Sequence, residues 1–417
     1  MTTSPLAAVR YRVAAFTVAL AFVTYLDRVS ISKLAGPISA DLGLTMQQMG
    51  YVFSSFTLAY AIFEVPTARW ADKLGSRVVL TRIVIWWSVF TIVTAFAFGF
   101  WSLVIIRFLF GMGEAGAWPV AARALSRWIP QQERGRVQGI FFAGAHLAGG
   151  LTPYAAFVLE PYVGWRMVFV IFGCVGFVWA AAWYLWFRDE PREHKSVTVV
   201  ERDYIEANRT PDSPHGTANI WRRILRHPSM FPLCLMYIAN TYGFYFVITW
   251  LPKYLEVERG FSGPQLAALS GAPMLLSIAG DFGGGWATDW MTRRFGLRHG
   301  RAVIAGSAYL LAGLAMAGAA VVPSPIAAAA LIAISIATSM FTLAASWATC
   351  VDIGGSNAGV VSAFMNTSGQ IGGIVGPSLV PWLVAGHGGW TASIAIMSAL
   401  YLIAATCWLF IDARRKI

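Results

Sequence analysis

The sequence predicts an all-α membrane protein in which twelve transmembrane helices form two pseudo-symmetric six-helix bundles. Three observations carry that prediction. Hydrophobic residues make up 57% of the chain and charged residues 12%, half of the roughly 25% usual in a soluble domain. Apolar runs of about 20 residues, enough to cross a bilayer as a helix, recur from end to end. Two acidic pairs also repeat at one offset: Glu64 and Asp72 stand 217 residues before Asp281 and Asp289. Such an internal duplication is the mark of many transporters.

The spans are expected at 12–34, 47–69, 78–98, 101–123, 136–160, 165–187, 229–254, 264–288, 301–321, 325–349, 357–384 and 389–412. Charge placement orients them. The net charge of +11 would suit a polyanion such as nucleic acid, but the basic residues gather in alternate loops, as the positive-inside bias requires. Lys73, Arg77 and Arg82 follow the second span, Arg127, Arg134 and Arg136 the fourth, and Arg293, Arg294, Arg298 and Arg301 the eighth. Arg10 and Arg12 precede the first span and Arg414-Arg415-Lys416 follows the last, which puts both termini on the cytoplasmic side of a bacterial inner membrane. The first apolar run is too long for a cleavable signal. A hydrophilic stretch at 189–226 interrupts the pattern and divides the chain into an N-terminal bundle (1–188), a solvated cytoplasmic linker and a C-terminal bundle (227–417). The four cysteines lie in apolar segments without paired spacing, so neither a metal site nor a cofactor is expected. No soluble domain, phosphate loop or nucleophile motif supports an enzyme or receptor.

The first span carries the central oddity, Tyr25-Leu26-Asp27-Arg28, with a carboxylate and a guanidinium adjacent inside an apolar run. Each charge at mid-membrane costs roughly 2.5–3.5 kcal/mol on insertion scales. Neighbouring residues point about 100° apart on a helix, so the two charges cannot both face lipid. They serve either an ion pair that locks helices or a site for a charged substrate. The fourth span repeats the theme: Arg107 and Glu114 are two turns apart on one face, among Gly111, Gly113 and Gly116. That stripe suits a cavity wall or a packing ion pair. In the seventh span Tyr242 and Tyr245 are placed to line a cavity, whereas Trp86, Trp87, Trp179, Trp183 and Trp186 read as interfacial anchors. Glu64 and Asp281 are secondary candidates towards the cytoplasmic side.

Asp72-Lys73-x-Gly75-x-Arg77 resembles the cytoplasmic loop motif of the major facilitator superfamily, with Ala68 where glycine is usual, and Asp289 and Arg294 form its second copy. The resemblance implies a conformational latch built from Asp72, Lys73, Arg77, Asp289 and Arg294. Tyr25-Leu-Asp-Arg28, Arg107-x-x-x-Gly-x-x-Glu114-Ala, Glu133-Arg-Gly-Arg136, Tyr245-Phe-x-x-Thr249-Trp-Leu-Pro252, Trp347-x-x-x-x-Asp352 and Asn366-x-x-Gly-x-x-Gly-Gly are together similar to the anion:cation symporter family. That family includes bacterial uptake systems for galactonate, hexuronates, glucarate and aromatic acids, and animal vesicular glutamate and sialic acid transporters. The resemblance implies proton-coupled uptake of a small organic carboxylate, with a monomer working by alternating access between the bundles. Arg28 then meets the substrate carboxylate. Asp27 and Glu114 carry protons, modulated by Arg107, and Tyr25, Tyr60, Ser346, Trp347 and Asn366 line the site. An organic-anion exchanger or efflux antiporter of the same fold remains the alternative.

The fifth span departs from this family. His146 stands where glutamine is frequent and Phe142 where asparagine is frequent, which turns the expectation from a sugar acid towards a less hydroxylated or aromatic carboxylate. His146 is a substrate contact, a third titrating group, or a neutral ring bonded to a backbone carbonyl.

Overall fold

The computed structural model describes residues 8–130, 133–208, 220–355 and 358–417, without the side chains at 68, 69, 72 and 134–136. All regular structure among these residues is helical. Span 1 is α1 (Val9–Lys33), followed by the short α2 (Ala35–Leu42). Spans 2 and 3 share α3 (Met46–Thr94). Span 4 is divided between α4 (Phe100–Glu114) and α5 (Ala117–Trp128), and spans 5 and 6 share α6 (Arg134–Trp186). The hydrophilic connection holds α7 (Val199–Asn208) and α8 (Ile220–Arg226). Span 7 is α9 (Met230–Thr249) with α10 (Leu251–Val257), and spans 8 and 9 share α11 (Gly263–Val321). Span 10 is α12 (Pro325–Met340) with α13 (Leu343–Gly354), and spans 11 and 12 are α14 (Ala358–Val384) and α15 (Gly389–Phe410).

The three long helices cannot be single crossings. At about 1.5 Å per residue they would run roughly 70–90 Å, against a hydrocarbon layer of about 30 Å. Each is broken once, where a glycine takes a positive φ: Gly75 (81°), Gly164 (72°) and Gly296 (81°). Two legs apiece bring the total among the described residues to twelve spans, six before the hydrophilic connection and six after it, as the sequence predicts.

The chain groups into two compact units, Met1–Leu44 with Ser55–Asp212, and Thr45–Ser54 with Ser213–Ile417. In the first, α1 packs along α6. The tryptophans expected at the interface are largely packing groups instead. Trp87 and Trp183 are fully buried, and Trp179 donates its indole N–H to the Phe16 carbonyl at 3.0 Å. Trp183 stacks on Phe187 with ring centroids 3.8 Å apart. In the second unit α11 packs on α12 and α15, and α9 on α14 and α15, around buried Trp250, Tyr309, Tyr401 and Trp408. There the first turns of α3 lie on α14: Ser54 donates to the Ile374 carbonyl at 2.7 Å, and Gln47 to that of Ser378 at 3.1 Å.

The start of the connection carries structure of its own. Glu201 on α7 accepts the backbone N–H groups of Val9 (3.2 Å) and Arg10 (3.1 Å), so its carboxylate caps α1. His194 sits edge-on between Trp128 and Trp186. Burial, with Arg188 close by, holds its imidazole below the ordinary range, so it packs there as a neutral ring.

A second cap supports the break in α3. Asp189, just past span 6, accepts from the backbone N–H of Ser76 at 2.5 Å and of Arg77 at 3.3 Å. At Gly75, φ 81° and ψ 160° is a region open in practice only to glycine, and an added Cβ would lie 2.8 Å from the Asp189 carboxylate carbon. Asp189→Ala is therefore expected to cost about 0.5–2 kcal/mol, as other helix caps do. Gly75→Ala, which strains the backbone and displaces the carboxylate together, is expected to cost more. Thermal unfolding in detergent checks both; a Gly75→Ala midpoint equal to wild type would contradict the account.

Candidate functional site

Four charged side chains meet inside the first unit. Asp27 and Arg28 come from α1, Arg107 and Glu114 from α4, and all are buried, with Arg28 the most accessible at 7%. Buried charges are costly unless paired, so the pairing among the four decides what the cluster can do. Arg28 forms an ion pair with Glu114 through Nη2 and Oε1. The guanidinium of Arg28 also lies over three rings, at 5.0 Å from Phe56, 5.2 Å from Tyr60 and 5.4 Å from Tyr25. Arg107 lies 4.2 Å over Phe110 and 5.4 Å from Phe56, so Phe56 serves both guanidinium groups. Arg107 is in electrostatic contact with both Asp27 and Glu114. The pairing thus runs between helices, from Arg28 to Glu114, rather than along α4 from Arg107 to Glu114.

Asp27 is different. Neither carboxylate oxygen has a hydrogen-bond partner among the described residues, and the same holds for Nε and Nη1 of Arg107. The indole N–H of fully buried Trp87 lies beside Asp27 without closing a bond of ordinary geometry. Tyr25 presents its ring at right angles to His146, centroids 6.5 Å apart. Tyr25, Tyr60, His146, Arg28 and the two acids are therefore one neighbourhood.

The remaining candidates lie in the second unit. Tyr245 donates to Oε1 of Gln370 at 3.4 Å, and the buried hydroxyl of Tyr242 has no partner among the described residues. Trp347 is half-buried, edge-on to Tyr237 with centroids 6.5 Å apart, and Asn366 is half-buried. Buried Ser346 gives its hydroxyl to the Thr342 carbonyl one turn back, at 3.0 Å, with the Met236 sulfur 3.8 Å away. Sequence reasoning missed a polar set beside these: Asn240 donates to the Ser339 carbonyl, and Tyr401 to the Ser339 hydroxyl, both at 3.4 Å. Gln370 was legible, one turn beyond Asn366 on the same face.

Over residues 17–377 the chain matches the Major Facilitator Superfamily. It belongs to that family. It is accordingly a multi-pass membrane transporter and not an enzyme. Among known proteins it is 35% identical to a probable sulfoacetate transporter of Cupriavidus necator, over 94% of this chain and 91% of that one. It is 30% identical to a hexuronate transporter of Bacillus subtilis, over 92% and 90%. A crystal structure of a bacterial homolog of the human lysosomal transporter Spinster, inward-facing and unoccupied, superposes with a TM-score of 0.77 at 21% identity, covering 99% of this chain and 98% of that one.

In this facilitator the fourth span is broken at the charge cluster. Ala115 (φ −55°, ψ 133°) and Gly116 (φ 88°, ψ −3°) form the two central residues of a type II turn directly after Glu114. The second central position needs a positive φ, which glycine takes without strain. The turn ends α4 at Glu114 and starts α5 in a new direction, carrying Trp118.

The loop-motif residues are distributed less simply. The Asp72 side chain lies outside the described residues, and Lys73 is exposed. Arg77 donates from Nε to the Tyr184 carbonyl at 2.8 Å and lies 4.5 Å over the Tyr184 ring. The carboxylate at the start of the third span is that of Asp189. In the second copy Asp289 meets Arg301 at 3.8 Å rather than Arg294, and Arg301 bonds Asp352 at 3.1 Å. Arg294 instead lies 5.7 Å over the Trp290 ring. Glu64 is buried and Asp281 half-buried.

Proposed function

We propose that the protein is a proton-coupled importer of a small organic anion, with Arg28 as the group that takes the carboxylate. The observation that carries the reading is the Arg28–Glu114 pair with Asp27 at its side. A planar guanidinium donates two parallel hydrogen bonds to a carboxylate, which is the recognition a substrate anion needs. Glu114 occupies that guanidinium in this structure. An arriving anion must displace it, and the displaced carboxylate then keeps only the electrostatic contact of Arg107 and no hydrogen bond from Arg28, so taking up a proton relieves its burial. Anion binding and proton uptake are thereby one event. Asp27, with Arg107 on its other side, is the second proton carrier. The substrates named for the two relatives, sulfoacetate and hexuronate, both carry a carboxylate, which supports an organic anion here. The basic residues of alternate loops support cytoplasmic termini in a bacterial inner membrane.

The test is a proteoliposome with a pH dye inside. Adding substrate outside should acidify the lumen; alkalinisation would establish antiport instead, and no pH change would remove the coupling. Candidate anions come from a thermal-shift screen, since a ligand that binds the folded state raises its stability by mass action.

A further inference from the structure

The rings outside the first layer around Arg28 have no part in the mechanism above. Trp118 is the second residue of α5, so the type II turn at Ala115-Gly116 fixes its direction. Its indole stands edge-on to Tyr25 (centroids 6.0 Å, planes at 84°) and stacks on Phe142 (5.5 Å, 18°). Phe141 closes the far side, 4.7 Å from Trp118. Tyr25 in turn touches the Arg28 guanidinium and the His146 ring. Tyr25 and Phe141 are buried, whereas Trp118 and Phe142 each keep part of their surface open. The result is a continuous aromatic wall leading away from Arg28, and its partly open members, Trp118 and Phe142, carry a single side-chain donor, the Trp118 indole N–H.

We infer that this wall selects an unhydroxylated organic anion, with Trp118 and Phe142 as the residues that set the preference. The inference rests on the reading of Arg28 as the anion site. A polyhydroxylated acid docked on Arg28 would lay its hydroxyl groups against ring faces that cannot replace their hydrogen bonds to water. An apolar or unsaturated body gains from the same surface. An apolar pocket rejects an added hydroxyl by about 100-fold at most, so the preference is set by how many hydroxyl groups meet the wall.

Hexanoate and gluconate make a matched pair, six carbons long and differing in hydroxylation. Each is titrated directly against the purified transporter by isothermal titration calorimetry, and a wild type that binds neither counts against the inference. Wild-type protein should bind hexanoate at least tenfold more tightly than gluconate. Phe142→Asn and Trp118→Ser should bring the ratio close to one, while Phe142→Leu, still apolar, keeps it. Arg28→Gln should abolish both. Equal or tighter binding of gluconate to wild type would overturn the inference and leave the Arg28 reading standing. So would an unchanged ratio in Phe142→Asn and Trp118→Ser that unfold at the wild-type temperature. Equal anion binding by wild type and Arg28→Gln would overturn the Arg28 reading, and this one with it.

Discussion

Arg28→Gln is expected to abolish accumulation of the organic anion and to weaken its binding by at least 100-fold. The magnitude follows from what is removed. A hydrogen bond to a charged group is worth about 1.5–3 kcal/mol, and a bidentate carboxylate makes two. Glutamine offers one neutral donor group and no charge. Arg28→Lys keeps the charge but loses the planar fork and the contacts with Tyr25, Phe56 and Tyr60, so a loss of about tenfold is expected. Arg28→Gln also leaves the buried Glu114 carboxylate without its ion-pair hydrogen bond. Breaking a buried pair from one side typically costs 3–5 kcal/mol, so Arg28→Gln should also unfold at a lower temperature. The double variant Arg28→Gln, Glu114→Gln separates the two effects: stability should return, and binding should not. Wild-type accumulation in Arg28→Gln proteoliposomes would rule out this side chain as the anion site.

The parts of this site that could be read from sequence are those where membrane physics leaves few alternatives. A charge inside an apolar run must meet a partner or a polar interior, and Asp27, Arg28, Arg107 and Glu114 do converge. Their order of pairing was not legible, because sequence spacing places Arg107 and Glu114 on one face of α4 but says nothing of which side chain of α1 approaches that face. The break after Glu114 was hidden for another reason: Ala115-Gly116 is compatible with helix, and only the turn dihedrals reveal it. Trp87 was misplaced because a tryptophan on a membrane span is ordinarily read as a lipid-facing or interfacial group, yet its ring is wholly inside and beside Asp27. Asp189 could not be found from local pattern, since the amides it caps lie 113 and 112 residues earlier. Of the fold, the twelve spans followed from length and hydropathy alone, and the expected turn between spans 5 and 6 falls at Gly164.

Glu114→Gln should separate anion exchange from proton-driven accumulation. Glutamine matches glutamate in size, and its amide oxygen can still accept from Arg28, so packing around the cluster should hold. What disappears is the negative charge that competes with the substrate for the guanidinium. Anion binding should therefore tighten by about tenfold or more, the equivalent of one charge-assisted hydrogen bond. In the wild type binding should weaken as pH rises, because the competitor is then anionic; in the variant this dependence should flatten. A proton gradient drives accumulation only if a proton must accompany the anion, and with Glu114 neutral at every pH that requirement is lost at this position. Substrate counterflow, which needs no net proton movement, should continue within a few-fold of the wild-type rate. Asp27→Asn should reduce accumulation as well, with less effect on anion affinity, since Asp27 forms no hydrogen bond to Arg28. Proton-driven uptake and counterflow measured on the same proteoliposomes decide the matter. If both survive in Glu114→Gln with an unaltered pH profile, the coupling assigned to this residue is wrong.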